Sequence, residues 1–352
     1  MRCAIVPPYL LARIAQAGDS RFGAAAEAAR RSLLHDDPLR AVRCEQLREG
    51  IRQAPDAPAT VTRDARPHRV VFDAGNLTEL PGREVRAEAS DPVDDVTVNE
   101  AYDGLGSCHR FFSDALGRLS VDGRNMPLHG TVHYGRDYDN AFWDGSRMVF
   151  GDGDGEVFGR FTASLSVIGH ELAHGVTQHT AGLIYEGQSG ALNESISDVF
   201  GALVEQFTLG QQADAASWLI GEGLFTEEVQ GRALRSMLEP GTAYDDDVIG
   251  RDPQPAHMDG YIATRDDNGG VHLNSGIPNR AFALAALALG GNAWERAGTI
   301  WYATLTGGLP SRTDFVGFAS ATAQAARTLH GDDSAEHRAV VEGWRSVGVD
   351  FG

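Results

Sequence analysis

Two histidines flank a glutamate in the segment His170-Glu171-Leu172-Ala173-His174, which lies in a stretch of helical periodicity. Histidines four residues apart share one face of a helix, at about 6 Å, and this spacing suits two ligands of one tetrahedral zinc ion. A catalytic zinc acidifies a bound water, and a carboxylate beside a ligand can take the proton of that water. The motif predicts a zinc site formed by His170 and His174 with Glu171 as general base. Two unconnected surface histidines are the alternative.

A catalytic zinc ion needs a third protein ligand and an open position for water. Glu194 follows His174 by twenty residues, and Asp198 lies one helical turn further on. One of these carboxylates can bind the metal while the other accepts the N–H of a ligand histidine and fixes its tautomer. We expect Glu194 to be the ligand and Asp198 the orienting acid. Two ordinary exposed acids on an amphipathic helix are the alternative.

The composition of the chain limits the kinds of partner it can have. Its 352 residues suffice for two or three domains, and 42% hydrophobic residues predict a packed core. The formal charge of -19 argues against binding to nucleic acid or to anionic membranes, because phosphate would be repelled. We therefore expect a soluble protein that binds neither nucleic acid nor membranes. We also expect a monomer.

The chain changes character along its length. Residues 1–55 have two short helical stretches. A Pro- and Ala-rich linker over residues 53–60, where a protease could cut, joins them to the rest of the chain. We predict a β-rich lobe over residues 56–182, ending in the helix of the histidine motif, and a helical lobe over 183–352. The sequence thus predicts an α+β protein with a short helical segment ahead of it.

Cysteines and apolar runs bear on the cellular compartment. The three cysteines, Cys3, Cys44 and Cys108, are too few and too scattered for a disulfide framework. The apolar run after Arg2 stops at Pro7-Pro8, so we expect no Sec-type signal. This predicts a cytoplasmic protein or one that is exported by a non-classical route.

Several separate motifs carry a family resemblance. They are the string from His170 to Gly201, Asn140-Ala141-Phe142-Trp143, Gly151-Asp152-Gly153-Asp154-Gly155 and the segment from Asp267 to Gly276. Together they resemble the thermolysin family of metallopeptidases, in order, from about Val70 to the end of the chain. The resemblance implies a β-rich and a helical lobe with a zinc cleft between them. The leader with Pro7-Pro8-Tyr9-Leu10 resembles the short propeptide of the protealysin-like branch; a disordered tail is the alternative.

The resemblance also implies roles for individual residues. It makes Tyr185 and His272 donors to the carbonyl oxygen under attack, with Asp267 orienting His272. It makes Asn140 and Ala141 the edge that holds the substrate backbone and Arg235 a ligand of a substrate carbonyl. It implies an apolar pocket that favours cleavage before a bulky hydrophobic residue, lined by Phe158, Phe161, Val167 and Leu234. Phe161 replaces what is usually a smaller aliphatic residue, so this pocket would be narrower than usual.

The sequence departs from the family at its double calcium site. Glu205 and Glu222 match acids of that site, whereas the other matching positions are Ser166, Ser217 and Leu219. Because calcium takes six to eight oxygens, we expect no double site and at most one weak calcium site.

The leader gives a further hypothesis. Pro-Pro fixes an extended backbone that suits a segment lying in its own substrate cleft. Cys3 is near enough to contact zinc as a thiolate, and a buried apolar cysteine is the alternative.

These inferences predict a zinc-dependent endopeptidase made as a self-inhibited precursor. A latent pro-form that acts as a binding or scaffold protein without turnover is the second candidate. A zinc hydrolase of non-peptide substrates is the third.

Overall fold

In the computed structural model of the protein, residues 3–48 and 66–352 are described. The linker predicted at Gln53–Thr60 lies outside these residues, as do the side chains of Cys3 and Cys44, so the zinc-thiolate hypothesis stays a prediction. The chain forms two compact units, Met1–Ala163 and Ser164–Gly352. The predicted boundary between 182 and 183 also stays a prediction.

The first unit is built on a six-stranded mixed sheet with helices. Its elements are β1 (Cys3–Ala4), α1 (Pro8–Ile14), α2 (Gly23–Arg48), β2 (Arg69–Asp73), β3 (Arg83–Ala87), α3 (Val96–Leu116), β4 (Leu128–Val132), β5 (Ala141–Trp143) and β6 (Met148–Phe150). The strand order is β1-β5-β6-β4-β2-β3, with β4 parallel to both β2 and β6. The β-rich character predicted for this part of the chain is confirmed.

The leader supplies the edge strand of this sheet. Cys3 pairs with Trp143 and Ala4 with Phe142, so β1 lies antiparallel to β5. The chain then turns into α1, which starts after Pro7 and buries Leu10, Leu11 and Ile14. The expectation of two short helices is correct for α1, whereas α2 has 26 residues. The leader is therefore a folded part of the first unit.

A histidine joins the start of α3 to a neighbouring loop. The Asp95 carboxylate caps α3 by accepting from the backbone N–H groups of Thr97 and Val98. His133, in the left-handed region with φ 53°, places Nε2 2.8 Å from Asp95 Oδ2 and Nδ1 2.9 Å from Asp152 Oδ2. The hydrogen bond with Asp152 outweighs desolvation and, with Asp95, raises the pKa of His133 to about 9.

The second unit is mostly helical. Its elements are α4 (Leu165–Gln178), α5 (Gly187–Leu209), β7 (Leu219–Ile220), β8 (Arg235–Ser236), β9 (Asp245–Asp246), β10 (Gly250–Arg251), α6 (Asp267–Asn274), α7 (Gly276–Leu289), α8 (Ala297–Thr306), α9 (Phe315–His330) and α10 (Ala335–Arg345). The predicted order, a β-rich half followed by a helical half, is confirmed. In the described part of the chain, no helix has the length and apolarity needed to cross a bilayer.

Glycines let α4 and α5 approach closely. A Cβ on Gly169 of α4 would lie 2.9 Å from the Cα of Gly201 on α5. A Cβ on Gly201 would lie 2.5 Å from the carbonyl oxygen of Ser166 and 3.0 Å from the backbone nitrogen of His170. Any larger residue at either position would separate the two helices.

Candidate metal centre

Helix α4 presents two buried imidazoles to each other. His170 and His174 are both 0% exposed, and their Nε2 atoms lie 3.0 Å apart. Full burial of two polar rings at this distance requires a compensating partner, because an unsatisfied buried polar group is costly. The surface-histidine alternative is therefore wrong.

The hydrogen bonds of the Nδ1 atoms determine what the Nε2 atoms can offer. His170 Nδ1 lies 2.7 Å from Asp198 Oδ1, and His174 Nδ1 lies 2.8 Å from Asn193 Oδ1 and 3.0 Å from Ser197 Oγ. A neutral imidazole that donates from Nδ1 carries a lone pair on Nε2. Two such lone pairs would face each other across 3.0 Å, and a cation bound by both removes this repulsion.

Helix α5 brings a carboxylate to the same place. Glu194 is buried, with Oε2 3.5 Å from His170 Nε2 and Oε1 3.6 Å from His174 Nε2. Its Oε2 has no hydrogen-bond donor among the described residues. Two imidazoles and one carboxylate form the ligand set of many catalytic zinc sites.

This donor set fits a metal ion. Within residues 3–48 and 66–352, one group of three or more His, Cys, Asp or Glu side chains has its ligand atoms within 4.8 Å of one another, and it consists of His170, His174 and Glu194. The facing Nε2 atoms and the donor-free Glu194 Oε2 both point to a cation at this position.

A charged network lies behind His170. Arg235 Nε donates to Asp198 Oδ2, and Arg235 Nη2 donates to Asp198 Oδ1, each at 2.8 Å. Asn279 Nδ2 donates to Asp198 Oδ2, also at 2.8 Å. Burial acts to raise the pKa of Asp198, but the charge of Arg235 and the contact with His170 lower it well below its usual range. Asp198 is thus a carboxylate that fixes the orientation of His170.

Tyr185 and His272 stand on the other side of Glu194. The Tyr185 hydroxyl donates to Glu194 Oε1 and lies 3.2 Å from His272 Nε2. His272 Nε2 is 3.5 Å from Glu194 Oε2. Burial acts to lower the pKa of His272, but the charges of Asp267 and Glu194 outweigh it and raise the pKa. Both side chains therefore lie where the three ligand residues converge.

The position of His272 is set by an unusual turn. Residues 267–270 all have positive φ, at 52°, 52°, 85° and 76°, and two of the four are glycines. This left-handed turn brings Asp267 back to its own helix, where Oδ1 lies 2.6 Å from His272 Nδ1 and Oδ2 accepts from the His272 backbone N–H. Gln254 Nε2 donates to the His272 carbonyl oxygen at 2.7 Å. The ring is held at Nδ1, and the backbone of His272 is held at both its N–H and its carbonyl oxygen.

The remaining predicted residues fall in both units. Glu171 is fully buried in α4 between the two ligand positions. Asn140, Ala141, Phe158 and Phe161 belong to the first unit, where the two phenylalanine rings lie 5.7 Å apart. Val167 and Leu234 belong to the second unit. All four apolar residues of the predicted pocket are buried.

The predicted calcium residues give a weaker cluster. Glu205 Oε2 accepts from the Ser166 backbone N–H at 3.1 Å, while Glu222 is exposed. Burial raises the pKa of Glu205, and the charge of Glu222 adds to the effect. The other matching positions, Ser217 and Leu219, offer no carboxylate.

The sequence analysis missed the acceptors of His174 and the third donor to Asp198. Asn193 and Ser197 are one residue before and three residues after Glu194, on the same helix, so their spacing could have identified them. Asn279 comes from a helix 81 residues away, and no local pattern indicates it.

Comparisons with known proteins agree with this geometry. Residues 65–178 match the family model for the thermolysin metallopeptidase catalytic domain, and residues 181–349 match the one for its alpha-helical domain. The chain is 49% identical to an "Extracellular metalloprotease" of Pectobacterium carotovorum subsp. carotovorum, over 99% of this chain and 96% of that protein. It is 51% identical to "Protease PrtS" of Photorhabdus sp. (strain Az29), over 80% of this chain and 76% of that protein.

A solved structure covers the leader as well. The precursor of protealysin, a metalloproteinase from Serratia proteamaculans, has a TM-score of 0.88 and 50% identity, over 99% of this chain and all of that one. The order of lobes, the helical N-terminal segment and the His-His-Glu group are therefore those expected of such a precursor. The chain belongs to the thermolysin family of zinc metalloendopeptidases, and its organisation is that of a propeptide-bearing zymogen.

Proposed function

We propose that this zymogen hydrolyses peptide bonds at the His170, His174 and Glu194 site, on the N-terminal side of bulky hydrophobic residues. The observation that carries the assignment of the site is the pair of facing Nε2 atoms beside a donor-free carboxylate oxygen. Bound at these three side chains, zinc supplies a Lewis acid and lowers the pKa of a water.

Glu171 is the proposed general base. It takes a proton from the attacking water and delivers it to the leaving amine. Its place in α4, next to one ligand and three residues before the other, supports this role. Its complete burial supports it too, because a carboxylate away from bulk water exchanges protons with its immediate neighbours.

Tyr185 and His272 are the proposed donors to the carbonyl oxygen as negative charge develops on it. The raised pKa of His272 favours the imidazolium form, in which both ring nitrogens donate. Asp267 then takes one of these hydrogen bonds through Nδ1 and leaves Nε2 for the substrate. Asp198 performs the corresponding orienting role for His170.

Arg235 is proposed to bind a substrate carbonyl. Its Nε and Nη2 atoms are held by Asp198, which fixes the orientation of the guanidinium. The pocket for the hydrophobic side chain is proposed to use Phe158, Phe161, Val167 and Leu234, whose burial and apolar character suit such a ligand.

The substrate backbone is proposed to add as a strand to β5 through Asn140 and Ala141. The leader makes these contacts in the precursor. Ile5 N–H donates to the Ala141 carbonyl oxygen at 3.1 Å, Val6 N–H donates to Asn140 Oδ1 at 2.9 Å, and Asn140 Nδ2 donates to the Val6 carbonyl oxygen at 3.3 Å. Substrate and leader would compete for one edge, which supports self-inhibition by the propeptide.

The test of the mechanism is Glu171→Gln. Parent and variant are treated alike with trypsin to remove the propeptide, trypsin is inhibited, and casein hydrolysis and bound zinc are measured. We expect turnover to fall at least about a hundredfold, with one zinc per chain retained. Glu227→Gln, at an exposed glutamate of the same unit, is the matched control and should change neither. Normal turnover by Glu171→Gln would refute the assignment.

A latent scaffold protein remains the second candidate, favoured by the many contacts that hold the leader to the first unit. Casein hydrolysis that a chelator abolishes would exclude it and would also exclude a hydrolase of non-peptide substrates. We further propose a monomer that binds neither nucleic acid nor membranes, in line with its charge of -19. Light scattering at several protein concentrations tests the oligomeric state.

We also propose that the enzyme acts outside the cell after non-classical export, with a cytoplasmic role as the alternative. The name of the Pectobacterium relative supports the first location. Assay of culture medium and cell lysate, with a cytoplasmic marker enzyme as control, distinguishes them.

A further inference from the structure

A second pair of buried carboxyl groups lies in the first unit, away from the proposed catalytic residues. Asp139 is 0% exposed, and Asp154 interacts with its carboxyl group through both its own carboxyl and its backbone N–H, while no side chain of the described residues donates to it. Asp154 Oδ1 accepts from the backbone N–H groups of Glu156 and Val157, while Asp154 Oδ2 also has no donor there. Two carboxylates at such a position would repel each other in a medium that screens poorly.

The backbone holds this pair together. Gly151 N–H donates to the Asn140 carbonyl oxygen at 2.9 Å, and Gly153 N–H donates to the Tyr138 carbonyl oxygen at 3.3 Å. These bonds lie on either side of Asp139 and fix the loop that carries Asp154. A Cβ on Gly151 would clash with the Tyr138 carbonyl oxygen, so the approach of the loop depends on that glycine.

A shared proton satisfies the pair better than a metal does. Calcium requires six to eight oxygens, and these two residues offer three free ones. They belong to no group of three potential metal-binding side chains in the described part of the chain. A protonated carboxyl can instead donate to its neighbour, as in pairs of acids that share one proton. Burial and the charge of Asp154 both raise the pKa of Asp139 well above its usual range.

The propeptide covers this pair. The Asp139 backbone N–H donates to Ser32 Oγ of α2 at 3.0 Å. On either side of Asp139, the Tyr138 hydroxyl donates to Asp36 Oδ1 at 2.6 Å and Asn140 Nδ2 donates to Asp36 Oδ2 at 2.9 Å. The first residues of α2 reach the other loop, where Ala25 N–H donates to Glu156 Oε2 at 2.9 Å. Helix α2 therefore contacts Asp139, both of its neighbours and the loop that carries Asp154.

The surrounding charged and titratable groups do not neutralise the pair. Asp137 is half-exposed and forms an ion pair with Arg31, and the His35 ring bonds the Tyr134 hydroxyl. The other such groups around the two loops are Asp36, Glu156, Asp152 and His133. Since His133 is held between Asp95 and Asp152, and Arg31 pairs with Asp137, these described cations are engaged with acids other than Asp139.

We propose that the Asp139–Asp154 pair is a proton-operated latch on the propeptide: its shared proton keeps residues 138–140 bound to α2, and loss of that proton to solvent favours release. This rests on the proposed inhibition by the leader. The docked state holds one proton more than the open state, in which water reaches the acids. Opening of the propeptide must then become easier as pH rises.

The test uses the full chain carrying Glu171→Gln, so that no self-cleavage occurs. Hydrogen exchange of the Ile5 and Val6 amides, corrected for the intrinsic exchange rate at each pH, reports the opening equilibrium of the leader. We expect opening to increase with pH, by at most about tenfold per pH unit while the proton is lost. When Asp139→Asn is combined with Glu171→Gln, opening of the leader should no longer depend on pH, because the asparagine amide donates to Asp154 at every pH.

Two further variants complete the test. Glu227→Gln, at an exposed glutamate of the second unit, should keep the pH dependence of the parent. Asp154→Asn leaves only one carboxyl group in the pair and should also remove the pH dependence of opening. Melting temperature and zinc content report whether each variant is folded. An unchanged pH dependence in Asp139→Asn would overturn the latch, as would a pH dependence that millimolar calcium abolishes. Free exchange of both amides at every pH would instead contradict the docking of the propeptide.

Discussion

Asp198 and Asp139 are both completely buried aspartates, and their surroundings are opposite. Asp198 accepts hydrogen bonds from Arg235 and Asn279 and contacts His170. Asp139 has no side-chain donor to its carboxyl oxygens in the described part of the chain and interacts with Asp154 instead. The pKa of Asp198 is lowered, and the pKa of Asp139 is raised, although burial acts to raise both.

The difference teaches that burial alone does not determine the charge of a carboxyl group in this protein. Donors and a cation keep Asp198 ionised, so it can serve as a permanent negative partner of a ligand histidine. Asp139 lacks such side-chain donors among the described residues, and burial and the charge of Asp154 raise its pKa. The second unit thus contains a carboxyl group with a lowered pKa, Asp198, and the first unit one with a raised pKa, Asp139.

The largest effect is expected for Asp198→Asn. The substitution leaves the buried guanidinium of Arg235 without its counter-charge, which we expect to cost about 3–5 kcal/mol of unfolding free energy. Zinc affinity should fall about 10- to 100-fold, because His170 loses its orienting acceptor. Urea unfolding and competition with a zinc chelator measure the two effects. Unchanged stability and zinc affinity would contradict the contrast with Asp139.

Asp139→Asn should act in the opposite direction. An acid whose pKa is raised on folding destabilises the protein progressively as pH rises from its unfolded pKa through its folded one. At alkaline pH the variant should be about 1–3 kcal/mol more stable than the parent, and at acidic pH equal to it. Thermal melting across this range measures the difference. Destabilisation at alkaline pH would mean that Asp139 is a satisfied carboxylate.

His133 provides a cationic counterpart with a smaller effect. Its pKa of about 9 is above the unfolded value of 6.5, so its stabilisation is complete below pH 6.5 and is lost as pH rises through 9. Because Asp95 is partly exposed, we expect about 1–2 kcal/mol. His133→Asn keeps the left-handed backbone acceptable and should flatten this part of the stability profile. If the stability of the parent did not change between pH 6.5 and 9, the predicted contribution of His133 would be wrong.

Glu205 accepts a hydrogen bond from the Ser166 backbone N–H, so it has fewer donors than Asp198 and more than Asp139. We expect its replacement to have the smallest effect on stability. If it forms the weak calcium site, calcium at ten times its dissociation constant should stabilise the parent by about 1.4 kcal/mol. Glu205→Gln should remove this gain, whereas Asp137→Asn should leave it unchanged. A calcium effect that persists in Glu205→Gln would place the ion elsewhere.

The residues of the metal centre could be predicted because they follow helical spacing. His170 and His174, and then Glu194 and Asp198, are each one turn apart within their own helix, so the period of the helix already brings each pair together. Tyr185 and His272 came from the family resemblance.

The features that the sequence did not reveal depend mostly on contacts between segments that are distant along the chain. Asp139 and Asp154 meet because a glycine loop hydrogen-bonds to residues 138 and 140, and no period in the sequence encodes this. The helix of the histidine motif was expected to end the lobe at residue 182, yet α4 already ends at Gln178. The Thr180 hydroxyl donates to the Val176 carbonyl oxygen and helps to satisfy that end. The sequence analysis did not predict α10, whose apolar residues Ala339, Val340 and Trp344 stand among charged ones.

The contact of Gly169 with Gly201 has a consequence for engineering. Replacing helical glycines with alanine is a common way to stabilise a protein. Here an added methyl group on Gly201 would press on the backbone of residues 166 and 170, and His170 carries one half of the imidazole pair. At these two sites we therefore expect alanine to destabilise the helix pair and to weaken metal binding. The distance between the ligands on α4 and the ligand on α5 thus depends on two glycines, Gly169 and Gly201, which have no side chain.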